Sequence, residues 1–267
     1  MNLMAAKKLK NMLKLIWLMA RFRIMDRLES PISFVVMGVG NILYILSSLI
    51  YFNAIYGKVT ELGAWRFSDV LILIGVFNVI DGLSMIFWQR SLWRVPEMVL
   101  NGELDSYIIK PINTQFYLTF YNMDLIFMWP QILFGIYLIG QGAMQSGDIL
   151  NWPIFTLMFI CSCLLHYAIS VIITSINFFN YLPNTLFLTN EIFILGEYPI
   201  DIYKGLFRFI FTFIVPIGLM FSMPPQALLG KLSTYQILTT VIISIIFFIG
   251  SNIFFAKGLK NYQSAKG

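Results

Sequence analysis

The sequence predicts an all-α integral membrane protein, and its composition carries that prediction. Of the 267 residues, 58% belong to the hydrophobic set AVILMFWYC and only 12% are charged. The mean hydropathy is +0.78. A soluble domain typically has about 45–50% apolar and about 25% charged residues, so this chain has too little charge to cover a soluble globule. A chain this apolar also buries enough surface to become ordered, which excludes intrinsic disorder.

Uncharged or nearly uncharged windows mark the candidate membrane-crossing helices, each of which needs about 20 apolar residues. The windows are 30–57, 70–89, 111–147, 149–190, 209–230 and 232–256. A single helix over 149–190 would be about 63 Å long, roughly twice the thickness of the hydrocarbon core. That window is therefore expected to hold two crossings, joined by a turn in the Asn- and Pro-containing stretch 177–184.

Charge at the two ends of the chain indicates whether the number of crossings is odd or even. Seven Lys and Arg residues precede residue 30, and the tail after residue 256 carries three Lys and no acid. Both ends are therefore expected in the cytoplasm, which requires an even number of crossings. The 209–230 window is the one to remove, because Pro216 divides it and Pro224–Pro225 ends it. An alternative keeps one long fourth helix and makes 206–222 the fifth crossing.

The predicted fold is thus six transmembrane helices, an N-terminal amphipathic interfacial helix, and a re-entrant or interfacial hairpin before the last span. Residues 1–30 form the cytoplasmic amphipathic helix, 31–256 the transmembrane domain, and 257–267 a cytoplasmic tail. Within 3–25, apolar residues recur every three or four positions with Lys between them, and the apolar core is too short for a signal peptide. The other predicted segments are crossings at about 32–55, 68–88, 116–140, 153–173, 179–196 and 234–256, a loop at 89–115 and the hairpin at 199–229.

The loop at 89–115 carries charges of both signs and is longer than a simple turn requires. Pro96 is suited to open a short helix and Gly102 to close it. Met98 and Val99 would give that helix an apolar side. On these residues alone, two interpretations stay open: a solvated connection between spans, and a docking element for a soluble partner.

A family resemblance bears on this choice. The segment 99–112, VLNGELDSYIIKPI, resembles a motif of the ABC type-2 permeases: an apolar residue, G-x-L-D, two spacers, an apolar pair and K/R-P-apolar. In that family the motif also lies between the second and third spans. A second resemblance covers 197–230 and the family segment Y-P…l-R…i-i-P…P-A…L-L, from which this chain departs by the insertion of Gln226. The matching residues of this re-entrant segment are Tyr198, Pro199, Arg208, Pro216 and Pro225.

The resemblance implies a membrane subunit of an ABC exporter without its own ATPase site, and the sequence contains no G-x-x-x-x-G-K-[ST] loop. Family members assemble with two separate ABC ATPase subunits and a second permease chain, identical or homologous. ATP and Mg are then expected on the ATPase, with no cofactor or metal on this chain and no nucleic acid as partner. The resemblance also implies the bacterial plasma membrane and a hydrophobic or amphipathic cargo, such as a drug, peptide, lipid or glycolipid.

In that family, the loop between spans two and three transmits movement from the ATPase. The resemblance carries this role to residues of the 89–115 loop. They are Pro96, Glu97, Gly102, Glu103, Leu104, Asp105, Lys110 and Pro111.

Polar residues inside the predicted spans are the remaining candidates. A charge at mid-bilayer costs at least about 2.5 kcal/mol, so it should face protein or water. Asn78, Asp81 and Asp124 are therefore candidate translocation or dimer-contact residues, and a purely structural hydrogen bond is the alternative that stays open. Glu191 and Glu197 are expected to be in water at the outer end of the fifth span.

Two other classes of protein are less well supported. A membrane-embedded enzyme would show a dense polar constellation or an H-E-x-x-H motif, and this chain has a single histidine, His166. A stand-alone secondary transporter or channel would favour internal repeats with broken helices at matching positions, whereas the proline breaks here lie in the second half. Turnover of a lipid substrate by the purified protein without a partner would indicate the enzyme, and dependence of transport on ATP hydrolysis discriminates a secondary transporter from an ABC permease.

Overall fold

The structure is a computed structural model that describes residues 17–19, 21, 31–125, 128–146, 151–180 and 185–262. Over those ranges the chain is helical with short connections and contains no β-strand; one isolated bridge joins Leu62 and Trp65. Residues 17–19 and 21 are helical. All other residues of the predicted amphipathic helix at 3–25 lie outside the described residues.

Twelve α-helices are labelled here in the described part of the chain. They are α1 Pro31–Tyr56, α2 Phe67–Ser84, α3 Val95–Leu100, α4 Asp105–Ile108, α5 Thr114–Phe120, α6 Trp129–Ser146, α7 Trp152–Ser175, α8 Thr185–Ile194, α9 Gly205–Phe209, α10 Ile217–Phe221, α11 Met223–Leu228 and α12 Thr234–Asn261. Helix α2 continues through a π-helical turn, Met85–Gln89, and a short α-helical turn, Arg90–Leu92. A second π-helical turn, Ile210–Ile214, extends α9, and 3-10 turns follow α7 and α8.

Several of these helices are long and apolar enough to cross a membrane. Within the described ranges there are four such stretches: Gly38–Tyr56, Phe67–Leu100, Trp152–Phe178 and Thr234–Asn261. The all-α membrane fold is therefore confirmed, whereas six crossings remain a prediction. The predicted third span, 116–140, overlaps both α5 and α6, and the predicted fifth span contains the ten-residue α8.

Helix α2 lies at the centre of the bundle and is buried along almost its whole length. It packs against α6 through glycines. A Cβ added to Gly75 would lie 2.6 Å from the carbonyl oxygen of Gly135, and one added to Gly135 would lie 2.8 Å from that of Gly75. Glycine at both positions lets the two backbones touch. This seam fixes the register of Asp81 on α2 against Gln131 on α6.

The two ends of the bundle have separate sets of contacts. What we call the hairpin end comprises residues 57–69, 146, 151, 201 and 228–234. There the Arg66 guanidinium donates to the carbonyl oxygen of Ser146 at 3.2 Å, and the backbone N–H of Asn151 donates to that of Leu228 at 2.7 Å. The loop end comprises residues 89–124, 171–180 and 255–262, which share a second hydrophobic cluster.

Residues 199–229 form a helix–break–helix segment at the hairpin end. The first arm, α9 with its π-helical extension, is mostly exposed, and the break comes at Val215–Pro216. The second arm, α10 and α11, is buried and packs against α7. Asp201 accepts a hydrogen bond from Trp65 Nε1 at 2.8 Å, so the chain enters this segment near the loop 57–66. It leaves the segment at the same end, where Leu228 contacts Asn151.

Candidate functional site

Two polar regions of this apolar chain are candidates for function: the connection at the loop end and a cluster inside the bundle. The connection begins where α2 turns into α3. Pro96 stands in the first turn of α3, where its missing N–H costs nothing. Gly102 follows the helix with φ 65°, and the N–H groups of Glu103 and Leu104 both donate to the carbonyl oxygen of Met98, at 2.9 and 3.2 Å. The left-handed backbone at this turn favours glycine.

One side of the connection is anchored in the bundle. Leu104 is fully buried, and Val95 and Met98 are nearly so. These side chains share a hydrophobic cluster with Val171 of α7 and Phe255 of α12. Movement of the connection is therefore mechanically linked to two long helices, which is what a transmission element requires.

The other side of the connection faces outward. Leu100 is 52% exposed and Ile109 is 83% exposed, which is unusual for apolar side chains in a polar segment. Among the residues predicted for coupling, four are exposed, Asp105 is half-buried, and Pro96, Gly102 and Leu104 are buried. The exposed ones are Glu97, Glu103, Lys110 and Pro111.

Two aromatic rings hold the basic end of this face. The Lys110 ammonium lies 4.4 Å from the ring centroid of Tyr107 and 4.7 Å from that of Tyr117. Cation–π contacts of this kind keep a lysine in a defined position while its charge stays in water. We call the exposed set Glu97, Leu100, Glu103, Ile109 and Lys110 the coupling face.

Asp124, predicted as a possible translocation residue, belongs to the loop end. Its Oδ2 lies 2.7 Å from the Arg90 guanidinium, and its N–H donates to the carbonyl oxygen of Ile86 at 3.2 Å. The carboxylate is buried, whereas Arg90 is about a third exposed. This ion pair joins the extension of α2 to the segment ahead of α6.

A polar cluster lies deeper in the bundle, between α1, α2, α6 and the 3-10 turn Leu195–Glu197. Asp81 Oδ2 accepts a hydrogen bond from Gln131 Nε2 at 2.9 Å. Glu197 accepts hydrogen bonds from the Tyr44 hydroxyl and, at 3.5 Å, from the Ser48 hydroxyl. Tyr44 and Ser48 lie near the middle of α1, so the cluster meets this helix between the two ends of the bundle.

The placement of Glu197 corrects the sequence-based expectation. It was expected to be in water, but it is only 8% exposed because α1 covers it. Glu191, which shared that expectation, is exposed. Tyr44, Gln131 and Glu197 are site residues that the sequence analysis missed. The sequence signal for Glu197 was its position beside the Tyr198-Pro199 pair.

The third predicted polar residue of the spans, Asn78, is almost completely buried one helical turn from Asp81. Its Nδ2 donates to the carbonyl oxygen of Ile74 at 2.8 Å. Its Oδ1 accepts no hydrogen bond from the described residues. Asn78 and Asp81 therefore present acceptor atoms on one side of α2.

The residues predicted to form a re-entrant segment are held by contacts near the hairpin end. Arg208 donates to Asp201 Oδ1 at 2.8 Å, in a largely exposed ion pair. Tyr198 lies beside the polar cluster, and its ring packs against the rings of Tyr51 and Phe52, with centroid distances of 6.2 and 5.8 Å. The prolines divide the segment into its short elements: Pro199 precedes a 3-10 turn, Pro216 precedes α10, and Pro225 lies in α11.

Comparison with models of protein families gives a match over most of the chain. Residues 42–266 match a family model described as "ABC-2 family transporter protein". No curated protein matches the chain. The matched range includes the connection at the loop end, the polar cluster and the segment 199–229.

Proposed function

The chain belongs to the ABC-2 family of transporter proteins, and on that premise we propose that it is the transmembrane permease subunit of an ATP-binding-cassette export system. It is an integral membrane protein of a transport family. In the proposed role it does no covalent chemistry, and a separate ATPase subunit supplies the energy. The observation that carries the proposal is the coupling face: an exposed, partly apolar surface whose underside is packed on α7 and α12.

The proposed fold has six crossings, and the order in which the helices meet the two ends supports that number. Helix α1 reaches the hairpin end at Tyr56, α2 runs from there to the loop end, and α6 returns to the hairpin end at Ser146. Helices α7 and α12 then run side by side in the same direction, with Tyr167 against Phe248 and Phe178 against Phe255. Because both begin at the hairpin end, the chain has to return between them, and we assign that return crossing to the segment that contains α8.

The segment 199–229 is proposed as a re-entrant hairpin that does not cross. The contacts of Asp201 with Trp65 and of Leu228 with Asn151 support this, because both ends of the segment meet the same end of the bundle. The basic N-terminal region and tail support an orientation with the loop end in the cytoplasm and the hairpin end outside. The proposed location is the bacterial plasma membrane.

The proposed assembly contains two ATPase subunits and a second permease chain, identical or homologous. The coupling face would contact the ATPase: its leucine and isoleucine are suited to a pocket, and its carboxylates and lysine would set the orientation. ATP binding closes the two ATPase subunits and displaces the coupling faces. Because Leu104 and Met98 are buried against α7 and α12, that displacement reaches the membrane helices and switches the paired bundles between inward- and outward-open states.

The test is gentle affinity purification of the tagged chain from its native membranes, followed by identification of the co-purifying chains. The proposal predicts an ABC ATPase in near-equal amount to the total permease. A second six-span chain would identify a heterodimer, and its absence a homodimer. Recovery of the chain alone, in a detergent that keeps other ABC complexes intact, would contradict the proposal.

A further inference from the structure

The acids of this protein differ in what neutralises them. Near the two ends of the bundle, buried or partly buried carboxylates have a basic partner within reach. Lys231 Nζ lies 2.6 Å from Asp69, Arg90 lies 2.7 Å from Asp124, and Arg208 lies 2.8 Å from Asp201. Each of these acids is therefore compensated within the chain.

Asp81 and Glu197 are not compensated in this way. In the described part of the chain neither forms a salt bridge, and their hydrogen bonds come from neutral groups: Gln131 for Asp81, and Tyr44 with Ser48 for Glu197. The 3-10 turn that carries Glu197 also packs against α2, the helix that carries Asp81. Glu197 is buried and Asp81 is half-buried. A carboxylate that loses hydration without gaining a counter-charge is costly.

Asn78 Oδ1 is a further acceptor in this region that receives no hydrogen bond from the described residues. Asn78 is only 1% exposed, lies one helical turn from Asp81 on the same side of α2, and has no donor for Oδ1 among the described residues. A site that offers two carboxylates and an unsatisfied amide oxygen lacks a positively charged or hydrogen-donating occupant.

The surroundings of the cluster indicate what kind of cation would fit. Tyr44 and Tyr51 lie two turns apart on α1 and are 39% and 50% exposed, so their rings line the outer surface of α1 next to Glu197. The half-buried Tyr198 packs its ring against Tyr51 and so extends this aromatic surface, whereas Phe52 lies buried behind it. Carboxylates flanked by aromatic faces recognise organic cations. A small metal ion would instead need several oxygen ligands around one point, and aromatic rings do not supply them.

We propose that Asp81, Glu197 and the adjoining Tyr44, Tyr51 and Tyr198 bind a lipophilic organic cation, so that the cargo of the proposed permease is a cationic amphipathic molecule. The identification of the bound cation as cargo rests on the proposed function. The binding site itself does not depend on that function. The cation's charge replaces the missing partner of Asp81 and Glu197, and its apolar body lies on the exposed aromatic surface of α1.

The test uses two probes of the same size and shape but opposite charge: tetraphenylphosphonium and tetraphenylborate. The full chain is placed in lipid nanodiscs, and bound probe is measured by equilibrium dialysis with empty nanodiscs subtracted. Wild-type protein is expected to bind the phosphonium saturably and to show no saturable binding of the borate. Equal binding of both ions, or no saturable binding of the phosphonium, would overturn the proposal without any variant having to fold.

Variants then locate the site. Glu197→Gln and Asp81→Asn are expected to weaken phosphonium binding about tenfold or more each, since hydrogen bonds and contacts to a charged group are worth more than neutral ones. Glu191→Gln, an exposed acid on α8, is the matched control and should bind like the wild type. Unchanged binding in well-folded Glu197→Gln and Asp81→Asn variants would overturn the assignment.

The proposed function can fail separately. Phosphonium binding that depends on Asp81 and Glu197, in a chain that never co-purifies with an ATPase, would support the cation site and contradict the permease role. An ATPase partner without any acid-dependent cation binding would leave the permease role intact and overturn the cation site.

Discussion

The connection at the loop end has charged side chains on its outer surface, whereas the polar cluster has charged side chains inside the bundle. In the connection, apolar side chains such as Leu104 point inward, and Glu97 and Glu103 point into solvent. In the cluster, Glu197 and Asp81 point inward while α1 presents apolar and aromatic side chains outward. Charge that faces water is suited to a soluble partner, whereas charge inside the bundle is suited to something that enters from the membrane.

The comparison also separates two uses of acids within the helical bundle. Asp124 joins two chain segments through Arg90 and is explained as a structural element. Asp81 has only a neutral partner, so its charge adds cost without a matching structural gain. Removing charge should therefore have opposite consequences at the two positions.

The largest expected effect comes from detaching the connection from the bundle. Leu104→Ala removes a fully buried side chain, so we expect a loss of about 3 kcal/mol in stability, as for other large-to-small core changes. Leu100→Ala, in the same connection but 52% exposed, is the control and should change stability little. Denaturation midpoints of the two purified variants measure the difference. Equal midpoints would contradict the anchoring of the connection.

A change at the α2–α6 seam tests the cluster instead of the connection. A Cβ at residue 135 would lie 2.8 Å from the carbonyl oxygen of Gly75, so Gly135→Ala should separate the helices and cost about 2 kcal/mol, as overpacked sites do. Gly140→Ala is the control, because a Cβ there meets nothing within 4 Å. Thermal unfolding in the same detergent compares them. Equal stability of Gly135→Ala and Gly140→Ala would contradict the close contact of the α2 and α6 backbones at Gly75 and Gly135.

The turn after α3 gives a smaller effect. Gly102 has φ 65°, and an L-residue in this left-handed region costs about 1–2 kcal/mol. Gly102→Ala should therefore lower the unfolding free energy by roughly 1 kcal/mol and reduce ATPase association, because the turn positions Glu103 and Leu104. Gly250→Ala in α12, where a Cβ meets nothing within 4 Å, should not reduce association. Unimpaired association of Gly102→Ala would show that the turn does not matter for coupling.

The smallest changes in stability are expected when the charge of an acid is removed. The sign of the change should differ between Asp124, which has a basic partner, and Asp81, which has none among the described residues. Asp124→Asn breaks a partly exposed ion pair and should destabilise by about 1 kcal/mol. Asp81→Asn removes a charge that lacks a basic partner, so the protein without cargo should be equally or more stable. Differential scanning calorimetry of both variants, without any added organic cation, measures these changes in stability. A clear loss of stability in Asp81→Asn would mean that its charge is compensated after all.

Local patterns in the sequence were sufficient for the connection but not for the cluster. Pro96 and Gly102 lie six residues apart and mark the ends of one short helix, and the structure has that helix at Val95–Leu100. The burial of Glu197 depends on Tyr44, which is 153 residues away, and sequence periodicity carries no information about such pairs. The partner of Asp124, Arg90, is 34 residues away and was equally out of reach.

Helix continuity was also only partly predictable. Pro216 marked the break at Val215–Pro216. The signals for a break between α5 and α6 are Asp124 and Pro130, which stands in the first turn of α6, and the sequence analysis did not use them in this way. The π-helical turn Met85–Gln89 was likewise unforeseen, because it lies in an apolar run that reads as uninterrupted helix. These are places where packing against neighbouring helices overrides local preference.

The measurement that tests the account most directly is the amount of ATPase retained by coupling-face variants in the native-membrane purification. Ile109→Asp and Glu103→Lys change exposed side chains, so both should fold normally and lose most of the ATPase that the wild type retains. Glu61→Lys, an exposed acid at the opposite end, should retain all of it. Full retention by folded Ile109→Asp and Glu103→Lys variants would contradict the assignment of this face to the ATPase.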